Sequence, residues 1–410
     1  MFYVNDQYYS IDDLEKQFSV FDNIPFLRDS ESVRIAVCIS DVFVMLSLFF
    51  YIRNKGGSFV PINPSQPEEG ATRIAVGTGS HILIYQDVKT PIVISENTNE
   101  AEGVLVQMSS GTTGAPKCIE RTWKSIEEEL NNYVSLLALN HQTTSIVACP
   151  VSHSYSLISG VLACIRRGAE PVILTNLNPR YIWKKLKDHP RHILYGAPFL
   201  LYSMALMSNG EDKMDYVISS GTTLPAEWLR LLKGVSNKVL QQYGCSEVGC
   251  VSLHKSVNES KEVGYPLSHL SVHAGTKENP KEIIINLSDK SVYTKDLGYI
   301  ENGILCFLTR IDDMINVSGL NVYPQEVEDV LMAEPRIEEA VVYKKSNSFS
   351  GERVCAQYVS SEPLLEDELR EWCQKFLAPY QIPMEFNSVN KIERLPNGKI
   401  SRKILGGVLI

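Results

Sequence analysis

The sequence predicts an α/β fold in two parts: a large N-terminal domain of mainly parallel sheets with helices plus a β-rich portion, and a small mobile α+β C-terminal domain. Three observations lead to this prediction. Short β-rich runs alternate with helical patterns over most of the chain, which is typical of parallel sheets. Beyond Glu262 the pattern becomes strand-turn-strand. A separate small α/β pattern follows Arg310–Asp313, so we expect domains at 1–311 and 312–410 with a hinge near Asp312.

The predicted elements follow from local patterns of apolar residues. Strands are predicted at Arg34–Cys38, His81–Tyr85, Pro91–Ile94, Ser145–Cys149, Glu170–Leu174, Tyr216–Ser219, Glu282–Leu287, Gly303–Thr309, Ile337–Tyr343 and Val354–Val359. Helices are predicted at Trp123–Leu139, Pro179–Asp188, Pro225–Lys233, Pro324–Ala333 and Glu366–Phe376. The strongest apolar run, Val42–Ile52, follows the N-cap pair Ser40-Asp41 and is about half the roughly 20 residues that span a bilayer, so we interpret it as a buried helix.

The charge and cysteine content exclude several classes of function. A formal net charge of −9 and a pI near 5.5 argue against a general binder of nucleic acids or anionic membranes. Nine cysteines are scattered without a CxxC or zinc-type spacing, which is typical of reduced thiols in a cytoplasmic protein. The first residues lack a basic segment followed by an apolar one, so we expect no signal peptide.

One loop combines hydroxyl groups, glycines and a lysine. Met108–Lys117 reads MSSGTTGAPK and follows a predicted strand at Gly103–Gln107. Glycines allow successive backbone amides to point inward, where they can bind phosphate oxygens, and Lys117 adds a positive charge. The loop does not fit the nucleoside-triphosphatase pattern, because Gly111 and Gly114 are too close and Cys118 replaces the required hydroxyl residue. A flexible turn is the alternative interpretation.

The order of residues in this loop resembles the phosphate-binding loop of the adenylate-forming superfamily, which includes acyl-CoA synthetases, peptide adenylation domains and stand-alone aryl-acid ligases. Other segments resemble further motifs of that superfamily in the same order: GTTLP at Gly221–Pro225, QYGCSE at Gln242–Glu247, TKDLGY around Asp296, RIDDMINVSGLNVYPQEVE at Arg310–Glu328 and LPNGKISR at Leu395–Arg402. The resemblance runs from about Arg34 to Leu405. It implies attack of a carboxylate on the α-phosphate of ATP, followed by transfer of the acyl group to a thiol.

The resemblance implies a role for each motif residue in binding ATP. Thr112, Thr113 and Lys117 would hold the β- and γ-phosphates. The remaining nucleotide-binding positions are Ser109, Ser110, Gly111, Gly114, Gly221, Thr222, Tyr243, Gly244 and Ser246. Tyr243 would stack on adenine, although a core tyrosine is the structural alternative.

Five further positions complete the implied site. Glu247 would bind Mg²⁺, a hard cation suited to carboxylate oxygens, and Asp296 would accept hydrogen bonds from both ribose hydroxyls. Arg310 would support the ribose or a phosphate. Asp312 matches the hinge residue of the family, and Lys399 would bridge the substrate carboxylate and the α-phosphate. For Glu247, Asp296 and Lys399 the alternative is a solvated surface side chain.

The segment PVSHSYSLIS at Pro150–Ser159 resembles the acid-pocket segment of aryl-acid ligases from siderophore pathways. His153 aligns with a residue that lines the pocket, and Gly196 is expected nearby. Ser154 stands where ligases of 2,3-dihydroxybenzoate have an asparagine that binds the ortho hydroxyl. Because a buried unpaired hydroxyl costs roughly 1–3 kcal/mol, we expect an aryl acid without an ortho hydroxyl, with 3,4-dihydroxybenzoate as the best candidate. The short N-terminal region and the overall sequence also resemble the ligases that activate this acid in petrobactin-type siderophore synthesis.

Three departures from the family pattern leave alternatives open. Lys295 replaces the usual glycine before Asp296, Asn316 replaces a frequent lysine, and the region before the phosphate loop is about 100 residues, shorter than usual. The segment Pro150–Ser159 contains no acidic residue that could bind the α-ammonium group of an amino acid, which disfavours an amino-acid substrate. We expect the acceptor to be the phosphopantetheine arm of a separate carrier protein, with CoA as the second choice. A non-catalytic nucleotide-binding protein is a further alternative, which the presence of Lys117, Glu247, Asp296 and Lys399 disfavours.

Overall fold

The structure, a computed structural model, describes residues 1–96, 102–109, 117–208, 212–288, 290–347, 351–395 and 399–407. Its strands up to residue 310 are β1 (Phe2–Val4), β2 (Gln7–Tyr9), β3 (Arg34–Cys38), β4 (Ser58–Pro61), β5 (Ile82–Tyr85), β6 (Ile92–Val93), β7 (Val104–Ser109), β8 (Lys117–Thr122), β9 (Thr144–Val147), β10 (Val172–Ile173), β11 (His192–Gly196), β12 (Met214–Ser219), β13 (Ser236–Cys245), β14 (Gly249–His254), β15 (Glu262–Pro266), β16 (Ser271–His273), β17 (Lys281–Asn286), β18 (Ser291–Glu301) and β19 (Ile304–Arg310). The helices of this part are α1 (Ile11–Phe21), α2 (Pro25–Arg28), α3 (Val42–Asn54), α4 (Glu68–Gly77), α5 (Trp123–Leu137), a π-helix at Tyr155–Leu162, α6 (Ala163–Arg166), α7 (Pro179–Asp188), α8 (Pro198–Leu206) and α9 (Ala226–Val235).

Within the described residues, the smaller sheet of the large domain has six strands in the order β6-β5-β3-β4-β7-β8. Its central strands are parallel, and β6 and β8 at the edges are antiparallel to their neighbours. The predicted buried helix is confirmed as α3, which begins where the Asp41 carboxylate accepts a hydrogen bond from the backbone N–H of Val44. In the part of the chain that the structure describes, no helix is both long and apolar enough to cross a membrane.

The larger sheet has thirteen strands among the described residues. Strands β13, β12, β11, β9, β10 and β1 are parallel in that order, with β2 antiparallel at one edge and the antiparallel strands β14–β19 on the other side. The parallel strands β9, β11, β12 and β13 therefore direct their carboxyl ends to one edge. In open α/β sheets, ligands bind in the crevice outside this edge.

The small domain packs helices on a mainly antiparallel sheet. Its strands are β20 (Ile315–Val317), β21 (Leu320–Val322), β22 (Ile337–Asn347), β23 (Gly351–Ser360) and β24 (Glu385–Ser388). Its helices are α10 (Pro324–Met332), α11 (Glu366–Gln374) and α12 (Arg402–Leu405), and a 3₁₀ turn lies at Pro379–Gln381. The large domain has a further 3₁₀ turn at Ser30–Ser32. The architecture confirms the predicted fold class.

A hydrogen bond and a cation–π contact are among the interactions between described residues of the small and the large domain. The carboxylate of Asp329 in α10 accepts a hydrogen bond from the backbone N–H of Ala226, the first residue of α9, at 3.2 Å. The guanidinium of Arg394 lies 4.9 Å from the ring centroid of Phe199 in α8. Both contacts involve the N-terminal turns of large-domain helices, α9 for Asp329 and α8 for Arg394.

Most predicted elements are confirmed, with shifted ends. Helix α7 has the predicted bounds, whereas β9 ends at Val147, two residues earlier than expected. The chain then turns at Val151–His153 and enters the π-helix Tyr155–Leu162, which the sequence did not predict. Its hydrogen bonds span five residues, as between the N–H of Ala163 and the carbonyl of Ile158.

Candidate active site

The predicted pocket and nucleotide residues lie at the carboxyl ends of adjacent parallel strands. Gly196 is the last residue of β11 and is paired with Ser219, the last residue of β12. Gly221 and Thr222 follow β12 on an exposed loop, where Gly221 has a φ of +94° that favours glycine. His153 lies in the turn that follows β9. The topology of the sheet, which local sequence patterns do not reveal, brings these residues to one edge.

Strand β13 continues this edge and carries the QYGCSE motif. Tyr243 is buried, and Gly244 follows it at a bulge in the pairing with β14. A Cβ atom on Gly244 would lie 2.3 Å from the carbonyl oxygen of Gly249, so the close strand approach requires glycine. Ser246 and Glu247 are half-buried in the turn between β13 and β14.

Asp296 and Tyr243 are joined across two strands. The Tyr243 hydroxyl donates a 2.6 Å hydrogen bond to Oδ2 of Asp296, whose neighbour across the sheet is Arg310. Nη1 of Arg310 lies 3.3 Å from Oδ1 of Asp296. Among the described residues, this buried Oδ1 has no hydrogen-bond partner. Burial raises the pKa of Asp296, although the Arg310 charge and the Tyr243 hydrogen bond oppose the shift.

The C-terminal lysine predicted from LPNGKISR reaches the same region. Its ammonium is close enough to Asp296, Arg310 and His153 to interact electrostatically with all three. The Lys399 side chain has substantial accessible surface, and it lies in the cleft between the domains. Desolvation in this cleft, and secondarily the charge of Arg310, lowers the pKa of Lys399. The structure therefore places Lys399 beside the residues predicted to bind ribose and acid.

His153 contributes a neutral ring to this cleft. Burial, and secondarily the charge of Lys399, lowers the pKa of the imidazole below its usual range. Its Nε2 is buried without a hydrogen-bond partner among the residues that the structure covers. Ser154 beside it is half-buried. A neutral imidazole fits the wall of a pocket for an anion that needs no general base, because a carboxylic acid is ionised at neutral pH.

The predicted phosphate loop falls almost entirely outside the described residues. Ser110, Gly111, Thr112, Thr113 and Gly114 are among those omitted. The structure describes only the backbones of Ser109 and Lys117, which are paired at the adjoining ends of the antiparallel strands β7 and β8.

The predicted hinge segment follows Arg310, the last residue of β19, and forms a turn at 311–313 before β20. Asp312 is half-buried in that turn. Asp313 lies 3.6 Å from the guanidinium of Arg402, which also contacts Glu328 at 2.8 Å. Arg402 follows Lys399 by three residues, so the hinge turn and the lysine segment are linked by one side chain.

Asn316, which replaces a frequent lysine of the family, has a structural role in the small domain. Its side-chain oxygen accepts a hydrogen bond from the N–H of Gly319, and its amide nitrogen donates to Asn321 at 3.2 Å. The side chain thus supports the hairpin of β20 and β21.

A buried ion pair that local sequence patterns did not predict joins β8 to α5. Nη1 of Arg121 on β8 lies 2.7 Å from Oε2 of Glu129 on α5, and Oε1 of Glu129 accepts a hydrogen bond from the N–H of Cys250 at 2.7 Å. A Cβ on Gly249 would lie 2.3 Å from both charged groups. The pair connects the strand after the phosphate loop to the strand after Glu247. No local sequence signal distinguishes Arg121 or Glu129, because both stand next to other charged residues in a strand or helix pattern.

The residues present fit Mg²⁺-ATP. Oδ1 of Asp296, which accepts no hydrogen bond from a described residue, can accept one from a ribose hydroxyl, and the carboxylate of Glu247 offers the hard oxygen ligand that Mg²⁺ prefers. Across the described ranges no group of three or more histidine, cysteine or acidic residues could hold a metal ion. A Mg²⁺ ion held by one carboxylate and substrate phosphates needs no such group.

Comparisons with known proteins define the class. Residues 94–279 match the AMP-binding enzyme family, and residues 326–399 match the AMP-binding enzyme C-terminal domain. The chain is 36% identical over 408 residues to the 3,4-dihydroxybenzoate–[aryl-carrier protein] ligase of Bacillus anthracis, covering 99% of this chain and 98% of that protein. The protein is an adenylate-forming ligase, which activates an acid with ATP. It belongs to the AMP-binding enzymes of the adenylate-forming superfamily.

Solved structures share the fold over nearly the whole chain. The o-succinylbenzoate coenzyme A synthetase of Bacillus subtilis in complex with AMP superposes with a TM-score of 0.84 at 20% identity, covering 98% of this chain and 94% of that chain. ATP-bound MatB from Rhodopseudomonas palustris gives a TM-score of 0.84 at 17% identity, with 97% and 92% coverage. These similarities confirm the two-part α/β architecture.

Proposed function

We propose that this ligase activates an aryl acid, 3,4-dihydroxybenzoate, and transfers it to the phosphopantetheine thiol of an aryl carrier protein in siderophore biosynthesis. The observation that carries the proposal is the 36% identity over 99% of the chain to a ligase of that acid and that class of acceptor. The half-buried Ser154 supports the choice of acid, because its short side chain leaves an ortho hydroxyl without the amide partner that an asparagine would offer.

In the first step, a carboxylate oxygen of the acid forms a bond to the α-phosphorus of ATP. The bond from that phosphorus to the bridging oxygen breaks, and pyrophosphate leaves. Both reactants are anionic, so positive charge must be aligned at the point of attack. We assign this charge to Lys399, and its electrostatic interactions with Asp296 and His153 support the assignment.

The other side chains bind and orient the nucleotide. The Asp296 carboxylate accepts hydrogen bonds from the ribose hydroxyls. The Tyr243 hydroxyl and the Arg310 guanidinium hold this carboxylate in place. Glu247 would hold Mg²⁺ and Lys117 the outer phosphates, and the bound ion would supply positive charge that offsets the charge of the pyrophosphate.

In the second step the thiol sulfur, as thiolate, attacks the acyl carbon, a thioester forms and AMP leaves. We propose that the small domain turns about Asp312 between the steps, which withdraws Lys399 from the site. The acceptor is the phosphopantetheine of a carrier protein, as printed for the Bacillus anthracis relative.

A pyrophosphate-exchange panel tests the choice of acid. We expect 3,4-dihydroxybenzoate to give the highest kcat/KM, above 2,3-dihydroxybenzoate, salicylate and octanoate. Higher activity with any of the last three overturns the acid assignment. Separate reactions with a phosphopantetheinylated aryl carrier protein and with CoA test the acceptor, and faster thioester formation on CoA overturns that part of the proposal.

A further inference from the structure

The buried ion pair of Arg121 and Glu129 adjoins the turn that carries Glu247. This turn, residues 246–248, joins β13 to β14, and Cys250 is the second residue of β14. Oε1 of Glu129 accepts a 2.7 Å hydrogen bond from the backbone N–H of Cys250, and Oε2 lies 2.7 Å from Nη1 of Arg121. The Glu129 carboxylate therefore bonds the backbone three residues after Glu247.

Gly249, the first residue of β14, packs directly against this pair. A Cβ atom at Gly249 would clash with Nη1 of Arg121 and with Oε2 of Glu129, and the φ of +89° is one that other residues rarely adopt. The side chains of Arg121 and Glu129 are only 4% and 2% exposed. Because the backbone touches a buried charged pair with no free space between them, the pair fixes where β14 begins.

The pairing of β13 with β14 does not by itself fix this turn. The register shifts within it, since Tyr243 is opposite Ser252 whereas Gly244 is opposite Cys250. Such a bulge leaves an extra residue on one strand and bends it, and bulges beside active sites redirect side chains. The hydrogen bond from Cys250 to Glu129 anchors the chain within this irregular stretch.

The charges of the ion pair and of Glu247 act on the same region. Burial, and then the charge of Glu247, raises the pKa of the Cys245 thiol to about 12, while the charge of Arg121 opposes the shift. Cys245 is thus within electrostatic range of both charges. Arg121 also lies four residues beyond Lys117 on β8. One ion pair therefore joins the strand that begins at Lys117 to the turn that carries Glu247.

Stability alone does not explain a buried pair of this kind. Burying two charges costs free energy that their attraction only partly returns, and apolar residues of similar volume are often as stabilising. What the charged pair adds is a fixed geometry, because one carboxylate contacts β8 and β14 at the same time.

We propose that Glu129, held by Arg121, is a positioning residue that places Glu247 for binding the Mg²⁺ of Mg²⁺-ATP. This inference rests on the proposed function, in which Glu247 holds the ion and Lys117 the outer phosphates. Mg²⁺ requires nearly ideal octahedral geometry, so a carboxylate and the substrate phosphates must be held at the right separation to share one ion. The Glu129 carboxylate connects the two elements that set this separation.

Equilibrium binding of a non-cleavable nucleotide tests the inference without catalysis. Isothermal titration gives the Kd of α,β-methylene-ATP in EDTA and with saturating Mg²⁺, and the ratio of the two values measures the contribution of the ion. The methionine-pair variant, Arg121→Met with Glu129→Met, removes both charges and the acceptor for Cys250. We expect this ratio to fall about tenfold, with the Kd in EDTA changed by less than about twofold.

Three further variants complete the test. Arg121→Met with Glu129→Gln also removes both charges but keeps the acceptor for Cys250, so its ratio should stay close to that of the unmodified enzyme. Glu127→Gln alters a carboxylate on the same helix that pairs with two arginines, and it should leave the ratio unchanged. Glu247→Gln should lower the ratio directly, and adding the methionine pair to it should cause no further fall.

The outcomes separate the inference from the proposed function. A folded methionine-pair variant with the full ratio overturns the inference alone, and so does an equal fall in the variant with Glu129→Gln. An equal loss of affinity in EDTA and in Mg²⁺ shows a general disturbance of the cleft and also overturns it. If Glu247→Gln leaves the ratio unchanged, the proposed role of Glu247 fails and the inference fails with it.

Thermal unfolding shows whether the methionine-pair variant folds. If it does not, Glu129→Asp decides in its place, because aspartate keeps the charge beside Arg121 but withdraws the acceptor from Cys250 by one methylene group. We expect the same fall of about tenfold in the ratio, and an unchanged ratio overturns the inference.

Discussion

The hydroxyl of Tyr243 holds one oxygen of Asp296 at 2.6 Å, and the other oxygen of this buried carboxylate is paired by no hydrogen bond from any described residue. Tyr243 was predicted to stack on adenine, and its buried ring also contacts Phe307. The same side chain therefore orients the predicted ribose acceptor. The predicted site for the ribose therefore combines residues of β13 and β18, which no single motif shows.

Asp296→Asn is expected to weaken ATP binding. An asparagine of the same size keeps one acceptor oxygen but loses the charge, and hydrogen bonds to charged groups contribute about 1.5–3 kcal/mol. We expect the KM for ATP in pyrophosphate exchange to rise roughly ten- to hundredfold while the KM for the acid changes little. The control Tyr243→Phe removes only the orienting hydroxyl and should give a smaller rise. Equal effects on both substrates would show that the substitution disturbs the whole cleft.

Lys399→Ala is expected to impair adenylation selectively. The ammonium neutralises charge in the first step, and removing such a stabilising group typically costs about 10²–10³-fold in rate. We expect this loss in pyrophosphate exchange, with transfer from preformed aryl-AMP to the carrier largely retained. Lys391→Ala removes an exposed lysine of the same domain and serves as the control. Similar losses in both half-reactions would contradict the proposed withdrawal of Lys399.

The ion pair of Arg121 and Glu129 is buried, so removing one of its charges should destabilise the protein more than removing both. Glu129→Gln preserves the acceptor for Cys250 but leaves the Arg121 charge uncompensated, so we expect a destabilisation of about 3–5 kcal/mol. The double variant Arg121→Met with Glu129→Gln should recover most of it, because no buried charge remains. Thermal unfolding of the variants measures both effects. A double variant less stable than Glu129→Gln would contradict this account.

Asp329 makes the stability of the domain contact depend on pH. Burial raises its pKa to about 6, despite the hydrogen bonds from Gln325 and Ala226. Between about pH 4 and pH 6 the native protein therefore binds more protons than the unfolded chain, and this group makes stability fall as pH rises. Asp329→Asn keeps the acceptor for Ala226 but does not titrate.

We expect the Asp329→Asn variant to match the parent near pH 4 and to exceed it by about 3 kcal/mol at pH 7, since one pKa unit corresponds to about 1.4 kcal/mol. Unfolding midpoints measured from pH 4 to pH 8 test this. Parallel curves for the two proteins would show that Asp329 does not titrate in this window.

Local patterns predicted the elements well where apolar periodicity was strong. Helix α7 begins at Pro179 after an asparagine N-cap and ends at Asp188, as predicted. No helix was predicted at Tyr155–Leu162, because a short run that is buried on every side has no periodicity that distinguishes a helix from a strand. The antiparallel extension of the large sheet was recognised only as a β-rich portion, since strand order depends on contacts distant in sequence.

The candidate site was predicted from motifs, and its arrangement came from topology. The motif resemblance predicted Lys399 at the substrate carboxylate and His153 in the wall of the acid pocket. The packing of the small domain on the large one, which brings the two residues within electrostatic range, does not follow from local sequence patterns.

The most direct test of the central claim is a competition among acids. The enzyme is incubated with Mg²⁺-ATP and equal amounts of ¹³C-labelled 3,4-dihydroxybenzoate, unlabelled 2,3-dihydroxybenzoate, salicylate and octanoate, without any thiol. Mass spectrometry then identifies the acyl-adenylates formed. We expect labelled 3,4-dihydroxybenzoyl-AMP to be the predominant acyl-adenylate. Predominance of any other adenylate would contradict it.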